Sequence, residues 1–327
     1  MPVPGAGELL LKTRLCGICG SDLHLFKHAA EIARMAEEMG APPQDMSGGL
    51  VLGHEYVGEV AVAGPDTVGR FAIGDRVVSV PFLLRDGVPI PIGANPAVDG
   101  AYAEYFLGSE ALLLKVPDEV PDEAAALVEP LGIAVHAVAK SRLGDADMPC
   151  VILGCGPIGL AIAAVLKMRD VTSIIASDFS PKRRALALEM GATEAVHPKE
   201  VSPFERLAAH VPAIIFDCTG VKGVFADTVA RTPAGSQIVM AGIPQGEDHF
   251  IPMLAISKEL SVQFVLYYTP EEFAEALDAI AGGKLDWRPL VTGRVGLEGI
   301  QQAFAALEDP ESHAKIMIDP WSDARIS

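Results

Sequence analysis

The sequence contains no apolar run long enough to cross a membrane, and its first residues lack the basic region and long apolar core of a signal peptide. Cations are scarce: 25 Lys and Arg stand against 43 Asp and Glu. The resulting net charge of −18 would repel the phosphates of nucleic acid. Five cysteines are too few, and odd in number, for a disulfide framework. These absences predict a protein of the reducing cytoplasm that binds neither membrane nor nucleic acid.

The chain itself has 327 residues, half of them hydrophobic, which is enough for two domains with sizeable cores. Before Pro121 the pattern is mainly of short strands and Gly- or Pro-rich turns, and residues 81–100 are predicted to form an irregular loop. Residues 29–39 have the spacing of an amphipathic helix, which is either a surface helix or a lid over a site. After Pro121, strands alternate with helices, which predicts a parallel sheet.

A glycine-rich turn, Gly154-Cys-Gly-Pro-Ile-Gly159, stands between a predicted buried strand and a predicted helix. Gly154 permits a tight turn, Gly156 lets the backbone approach a pyrophosphate, and Gly159 lets the helix lie close to the strand. The free N–H groups at the helix start favour phosphates. Asp178 ends the next strand, where a carboxylate binds a ribose and repels a 2′-phosphate. The pattern therefore predicts a dinucleotide site that prefers NAD, although the basic run at residues 182–184 keeps NADP open. The alternative is an ordinary βα turn.

Three further segments carry metal-ligand side chains. Residues 16–24 (Cys-Gly-Ile-Cys-Gly-Ser-Asp-Leu-His) combine thiol, hydroxyl, carboxylate and imidazole groups, and His54 and Glu55 follow. A further acid, Glu129, stands in apolar surroundings. Thiolate, imidazole and carboxylate together suit zinc, and fewer than four firm protein ligands leave a position open for catalysis.

Cys16 and Cys19 also form a Cys-x-x-Cys pair, for which a redox function is the alternative. Such a pair is expected to follow a strand and open a helix. Because Gly20, Ser21 and Asp22 come next, a turn is predicted instead, and the redox interpretation is disfavoured.

Taken together and in order, residues 16–24, 53–55, 129–131 and 154–159 with Asp178 resemble the zinc-dependent medium-chain alcohol dehydrogenases. The resemblance covers nearly the whole chain. It implies an α/β protein with a GroES-like, mostly-β catalytic domain and a Rossmann domain with a doubly wound parallel sheet. The catalytic domain is expected over residues 1–130 and 269–327, and the cofactor domain over residues 131–268.

The same resemblance implies the zinc ligands Cys19 and His54, with Glu55 binding directly or through water. Glu129 stands where many members have a cysteine, which resembles the polyol branch related to sorbitol dehydrogenase; there the glutamate ligates loosely or holds zinc-bound water. Cys16 is then a small buried residue. Because residues 81–100 contain no cysteine, we expect one catalytic zinc and no structural zinc.

The activity implied is hydride transfer between a secondary alcohol or polyol and NAD, which gives the ketone. Ser21 accepts the alcohol proton and passes it through the cofactor ribose to His24, and Glu55 is placed with these two in the catalytic centre. Cofactor contacts carried over from the family place Arg183 near the ribose and Lys315 near the phosphates. The full expected set is Gly154, Gly156, Pro157, Ile158, Gly159, Asp178, Arg183, Cys218, Thr219, Ala241, Gly242, Ile243, Val265, Leu266 and Lys315.

Members of this family pair edge strands of the cofactor sheet, and residues 260–268 match that position; they are apolar, which an unpaired edge tolerates poorly. A homodimer or homotetramer is therefore expected. The chain starts at the Pro-x-Pro-Gly-x-Gly-Glu stretch, before which members have a hairpin, so a misplaced start or lost edge strands are expected. The stretch between His24 and His54 is longer than usual. Two alternatives remain: a zinc-free reductase of the same fold, and a non-catalytic NAD-binding protein.

Overall fold

The computed structural model describes residues 1–38, 40, 43–46, 48–144, 148–208, 211–244 and 246–325. Over these ranges, none of the helices combines the length and the apolar character needed to span a bilayer. By internal packing the chain forms two compact units. The first comprises Met1–Glu129, Val291–Asp309 and Lys315–Ser327, and the second comprises Pro130–Leu290 and Pro310–Ala314.

The secondary-structure elements are numbered here in chain order. The strands are β1 (Glu8–Gly17), β2 (Glu55–Ala63), β3 (Arg76–Ser79), β4 (Phe82–Arg85), β5 (Val88–Pro91), β6 (Tyr105–Ser109), β7 (Leu113–Lys115), β8 (Cys150–Leu153), β9 (Ile174–Ser177), β10 (Glu194–Val196), β11 (Ile214–Asp217), β12 (Gln237–Met240), β13 (Ser261–Phe264), β14 (Val291–Val295) and β15 (Lys315–Ile318). The helices are α1 (Gly20–Glu38), α2 (Asp122–Ala125), α3 (Val128–Ala139), α4 (Pro157–Met168), α5 (Pro181–Met190), α6 (Val224–Arg231), α7 (Pro252–Ser257), α8 (Pro270–Ala281) and α9 (Ile300–Glu308).

Strand β1 organises the first unit. Within the described residues, a seven-stranded sheet runs in the order β14-β15-β1-β2-β3-β7, and β6 also pairs with β1. Nearly every residue of β1 is buried, as expected of a strand with several partners and both faces covered. Its last residue, Gly17, pairs with Glu55 at the start of β2 and with Met317 of β15. The end of β1 is therefore where distant parts of the chain meet.

The region 81–100 is not wholly irregular, and the loop prediction was wrong for part of it. Strands β4 and β5 form an antiparallel hairpin whose two turn residues, Asp86 and Gly87, have φ of 52° and 77°. Positive φ at both positions is the type I′ turn that Asp-Gly favours between paired strands.

The turn predicted after the cysteine pair was also wrong, because helix α1 begins at Gly20 and continues to Glu38. Asp22 explains the early start: its Oδ2 accepts from the Cys19 backbone N–H at 2.9 Å, as the third helical residue does in a capping box. The backbone departs from helical geometry at His28, with φ of −128° and ψ of 27°. Met39, the last residue of the predicted amphipathic segment, lies outside the described residues.

The second unit has the predicted parallel sheet, ordered β10-β9-β8-β11-β12-β13 among the described strands. This is the doubly wound order: every pairing is parallel, and the direction in which successive strands are added to the sheet reverses between β8 and β11. Strands β8, β9, β11 and β12 are fully buried, whereas β13 at the edge alternates between half-buried and exposed residues. The edge strand is shorter than the predicted 260–268. The domain boundaries drawn from sequence stay a prediction; by packing, α8 lies with the second unit, where Glu272 contacts His136 at 2.7 Å.

Candidate metal and cofactor sites

Three of the four predicted zinc ligands come together in the first unit. One ligand atom each from Cys19, His54 and Glu55 lies within 4.8 Å of the other two. Cys19 directly precedes α1, and Glu55 is held by the pairing of β2 with the end of β1. Gly17 is required there, because a Cβ on it would lie 2.3 Å from Glu55 Oε2. The sheet register thus brings together a thiol, an imidazole and a carboxylate.

Asp22 supports this group, a role the sequence analysis did not assign. Its Oδ1 lies 3.3 Å from His54 Nδ1, and its Oδ2 accepts from the Tyr102 hydroxyl at 2.7 Å. A carboxylate on one ring nitrogen orients a ligand histidine and leaves Nε2 to the metal. Asp22 stands within the 16–24 motif and was open to inference; no local signal marked Tyr102, which is remote in sequence.

The charges of this pair reinforce one another. Burial alone would lower the pKa of His54, but the Asp22 carboxylate and the Cys19 thiol outweigh it and hold that pKa well above its usual range. For Asp22, burial alone would raise the pKa, because it disfavours the charged carboxylate. The His54 ring, the Tyr102 hydroxyl and the Cys19 backbone N–H outweigh burial and lower this pKa. Asp22 is therefore an ionised carboxylate beneath the histidine.

Lys315 does not lie where the resemblance placed it, and its assignment to the cofactor phosphates was wrong. Its side chain is 1% exposed, and Nζ donates to Glu55 Oε1 at 2.7 Å, to Glu55 Oε2 at 2.6 Å and to the Ile18 carbonyl at 2.9 Å. Burial opposes the charge on this lysine, but Glu55 and Cys19 raise its pKa on balance. A buried ammonium that is fully engaged by the metal-ligand group is unavailable to a phosphate.

Glu129 lies in the first turn of α3 and is 8% exposed. It is not a member of the 4.8 Å group found among the described residues. Its charge nevertheless raises the pKa of Lys315, after the larger effect of Glu55, and that of Tyr56, where burial is the main cause. Its place as a ligand stays a prediction.

The residues of the predicted proton relay are both exposed and both on α1. Ser21 Oγ lies 3.4 Å from His54 Nε2. His24 is three residues further along, which puts it on the same helix face as Ser21. The hydroxyl therefore adjoins the metal-ligand group, and the imidazole lies toward solvent.

Cys16 has the structural role expected of it. It is fully buried, and its Sγ donates to the Gly17 carbonyl at 3.6 Å. Burial, with the charges of Asp22 and Glu55, raises the pKa of this thiol well above its usual range. A redox pair needs an accessible thiolate, so the redox interpretation stays disfavoured although the strand-then-helix setting is present.

In the second unit, the glycine turn has the geometry that its residues predicted. Gly154 has φ of 87°, and a Cβ on Gly159 would lie 2.0 Å from the Gly154 carbonyl oxygen. By contrast, none of the described atoms lies within 4 Å of a Cβ placed on Gly156, the residue preceding α4. Pro157 and Ile158 begin that helix, and its N-terminal amides face the space beside Gly156. The turn is packed closely against the sheet and open where a phosphate would approach.

Asp178 and Arg183 lie beside this turn. Asp178 Oδ2 accepts from the Cys155 backbone N–H and Oδ1 accepts from that of Ser180, each at 2.8 Å. Each carboxylate oxygen has a second lone pair, so the group remains able to accept from a ribose hydroxyl. Arg183 Nε is buried and has no hydrogen-bond partner among the described residues. A buried, unpartnered guanidinium nitrogen fits a site that is completed by a ligand.

The remaining predicted cofactor residues follow neighbouring strands of the same sheet. Their backbones approach closely: a Cβ on Gly242 would lie 2.4 Å from the Gly220 nitrogen. Carboxyl ends of parallel strands share one edge of a sheet, which is where doubly wound proteins bind their ligands. Cys218 and Thr219 follow β11, Ala241, Gly242 and Ile243 follow β12, and Val265 and Leu266 follow β13.

Comparison with known proteins identifies the domain families of both parts of the chain. Residues 5–118 match the alcohol dehydrogenase GroES-like domain, and residues 157–282 match the zinc-binding dehydrogenase domain. (R,R)-butanediol dehydrogenase of Bacillus subtilis (strain 168) is 31% identical over 333 residues, which cover 98% of this chain and 94% of that protein. Sorbitol dehydrogenase of the same strain is 28% identical over 341 residues, 98% of this chain and 93% of that protein. A crystal structure of a proposed zinc-binding dehydrogenase from Sinorhizobium meliloti 1021 bound to NADP is 27% identical, with a TM-score of 0.82 and coverage of 98% and 94%.

Proposed function

The chain belongs to the zinc-dependent medium-chain alcohol dehydrogenase family, and on that premise we propose that it transfers hydride between a secondary alcohol or polyol and NAD, giving the ketone. It is an oxidoreductase acting on CH–OH donors. The observation that carries the proposal is the group of Cys19, His54 and Glu55 within 4.8 Å. A reductase without zinc has no use for such a donor set, and neither has a protein that only binds NAD.

Zinc fits these donors by chemistry: a thiolate, the Nε2 of an imidazole whose Nδ1 faces Asp22, and a carboxylate. When bound, the ion supplies Lewis acidity, which lowers the pKa of an oxygen ligand. Lys315 donates to both carboxylate oxygens of Glu55, so the ion would share this ligand with a buried ammonium group. We expect one zinc per chain and no structural zinc.

The chain's own residues then handle the proton. Ser21 Oγ, adjacent to His54, accepts the proton from the alcohol, and His24 on the exposed side of α1 releases it toward solvent. Glu129 is buried, and its charge raises the pKa of Lys315; it would be the fourth group of the site, ligating the ion loosely or holding zinc-bound water. Replacing Ser21 with Ala should lower turnover while leaving zinc in place; full activity in that variant would contradict the relay.

The cofactor preference follows from Asp178. Its carboxylate repels a 2′-phosphate, which favours NAD. Arg183 Nε, which has no hydrogen-bond partner among the described residues, could donate to the 2′-phosphate of NADP and so weaken this preference. Titration with NADH and NADPH, followed by nicotinamide fluorescence, measures the two affinities directly. We expect the tighter binding for NADH.

A homodimer or homotetramer formed through the β13 edge completes the proposal. Phe264 is 69% exposed and Leu266 is 62% exposed at this edge. A sheet edge with exposed apolar side chains is a pairing site unless it is covered. Light scattering at micromolar concentration tests the assembly, and a monomer contradicts it.

The deciding experiment is metal content per chain by elemental mass spectrometry, followed by a screen of alcohols and vicinal diols with NAD. We expect about one zinc per chain. Cys19→Ala should abolish the metal, and Cys16→Ala is the matched control, because that buried thiol is outside the donor group. A chain that takes up no zinc when it is supplied during expression is a reductase or a binding protein instead.

A further inference from the structure

Helix α1 carries a second set of metal-donor side chains outside the Cys19 group. His24 and His28 are four residues apart, and their ring centroids are 6.3 Å apart with an interplanar angle of 35°. Glu31 extends the same side of the helix, with its Oε2 3.8 Å from His28 Nδ1. His24 is exposed, and the side chains of His28 and Glu31 are 51% and 55% exposed. Two imidazoles and a carboxylate therefore share one accessible face.

The ring separation is within the reach of a shared ion. With a metal–nitrogen bond of about 2.0–2.1 Å, two imidazoles on one ion have ring centroids about 5 Å apart at a tetrahedral angle and about 6.5 Å apart if collinear. The observed 6.3 Å falls between these limits. Among the described residues, the donor atoms of His24, His28 and Glu31 do not form a group within 4.8 Å of one another, so these exposed side chains must rotate to bring their donors onto one ion. Two histidines four residues apart are an established way to bind zinc. Because the backbone departs from helical geometry at His28, the observed ring separation carries the argument here, rather than regular helical spacing.

We propose that His24 and His28, assisted by Glu31, bind a second transition-metal ion of the zinc class, and that this ion inhibits the enzyme. The imidazoles select zinc-like ions over magnesium and calcium, which prefer oxygen ligands. The spacing and the exposure of the three side chains carry the binding part of the inference, independently of the Cys19 group.

The inhibitory part rests on the proposed function. A metal held by His24 would occupy the nitrogen lone pair that, in the proposed relay, takes up the proton leaving Ser21. The enzyme would then require one zinc ion and be slowed by a second, so its activity would depend on the concentration of free zinc. Nothing in this step calls for movement of the Cys19 group.

Equilibrium dialysis against excess zinc tests the binding. We expect about two zinc ions per wild-type chain and about one in His28→Ala. His249→Ala is the matched control, because His249 is exposed and lies 3.8 Å from Glu247 without a second imidazole at helical spacing; it should retain about two. Equal uptake by wild type and His28→Ala overturns the inference. If Cys19→Ala still binds both ions, the proposed catalytic zinc site is refuted. The second site is judged separately, because it is supported whenever His28→Ala binds one ion fewer than the wild type.

Inhibition provides the second measurement. Loss of an outer-shell partner already weakens metal binding by about 10–100-fold, so loss of an imidazole ligand should raise the inhibitory zinc concentration at least tenfold in His28→Ala. Its activity without added zinc should equal that of the wild type, and Glu31→Gln should shift the inhibition less. Magnesium should inhibit neither protein. If zinc slows wild type and His28→Ala equally, the inhibitory site is elsewhere and the inference is refuted.

Discussion

Removing the Lys315 side chain should destabilise the first unit far more than removing any exposed lysine. In the metal-free protein, Lys315 Nζ is the cation facing both oxygens of Glu55, and each side chain is 1% exposed. Lys315→Met preserves much of the volume but leaves a buried carboxylate unpaired. Breaking a buried pair from one side costs about 3–5 kcal/mol, because the remaining charge stays desolvated.

The assay is urea unfolding in the presence of a chelator. Trp321 reports on the first unit, since its indole N–H donates to the Thr13 carbonyl at 2.7 Å. The other tryptophan, Trp287, lies in the second unit and is replaced by Phe in all samples. With a slope of about 2 kcal/mol per molar urea, a loss of about 4 kcal/mol lowers the midpoint by about 2 M.

Lys115→Met is the matched control, because Lys115 pairs with Asp75 at 2.6 Å but is 59% exposed. Such a pair contributes at most about 1 kcal/mol. The double variant Glu55→Met/Lys315→Met should recover most of the loss, because no unpaired charge remains. The reasoning is refuted if Lys315→Met unfolds at the same urea concentration as Lys115→Met, or if Glu55→Met brings no recovery.

Three further changes test other parts of the molecule. Asp22→Asn removes the carboxylate charge behind the histidine ligand and should weaken zinc binding by about 10–100-fold in a chelator competition; unchanged affinity contradicts the orienting role. Gly159→Ala places a Cβ 2.0 Å from the Gly154 carbonyl oxygen and should abolish NADH binding measured by fluorescence, with zinc content unchanged. Burial would raise the pKa of Glu272, but the capping N–H of α8 and the His136 ring lower it below 4.5. Its stabilisation is therefore complete above pH 4.5 and is lost as pH falls through the lowered pKa, so urea midpoints should fall more steeply below pH 4.5 in wild type than in Glu272→Gln.

Local signals predicted those parts of the fold in which neighbouring residues determine the outcome. The bounds of helix α5 follow from such signals: Ser180 caps the helix, Pro181 begins it, and Gly191 with φ of 128° ends it. The glycine turn was predictable for the same reason, since glycine is needed where the backbone has positive φ, as at Gly154, or packs too closely for a Cβ, as at Gly159. The hairpin around Asp86 and Gly87 was also predictable from its Asp-Gly turn signal. It was missed because the high Pro and Gly content of residues 81–100 was interpreted as an irregular loop.

The start of α1 shows a limit of such local reasoning. Gly20, Ser21 and Asp22 are turn formers by propensity, and a turn was the expected result. Asp22, however, accepts from the Cys19 N–H and simultaneously contacts His54, so one side chain both starts the helix and orients the imidazole of a proposed metal ligand. The contact with His54 depends on a residue far along the chain. The turn propensity of a short segment contains no information about such a contact.

The misplacement of Lys315 has the same cause on a larger scale. Lys315 and Glu55 are 260 residues apart, and they meet because β1 pairs with both β2 and β15 near Gly17. Once that register is set, a lysine at the first position of β15 lies against the Glu55 carboxylate of the proposed metal site, whatever its local sequence suggests. The same register requires that position 17 have no side chain, since a Cβ there would meet Glu55 Oε2. The grouping of Cys19, His54 and Glu55 was therefore predictable from short motifs, whereas the buried lysine that pairs with Glu55 follows from the register of the sheet.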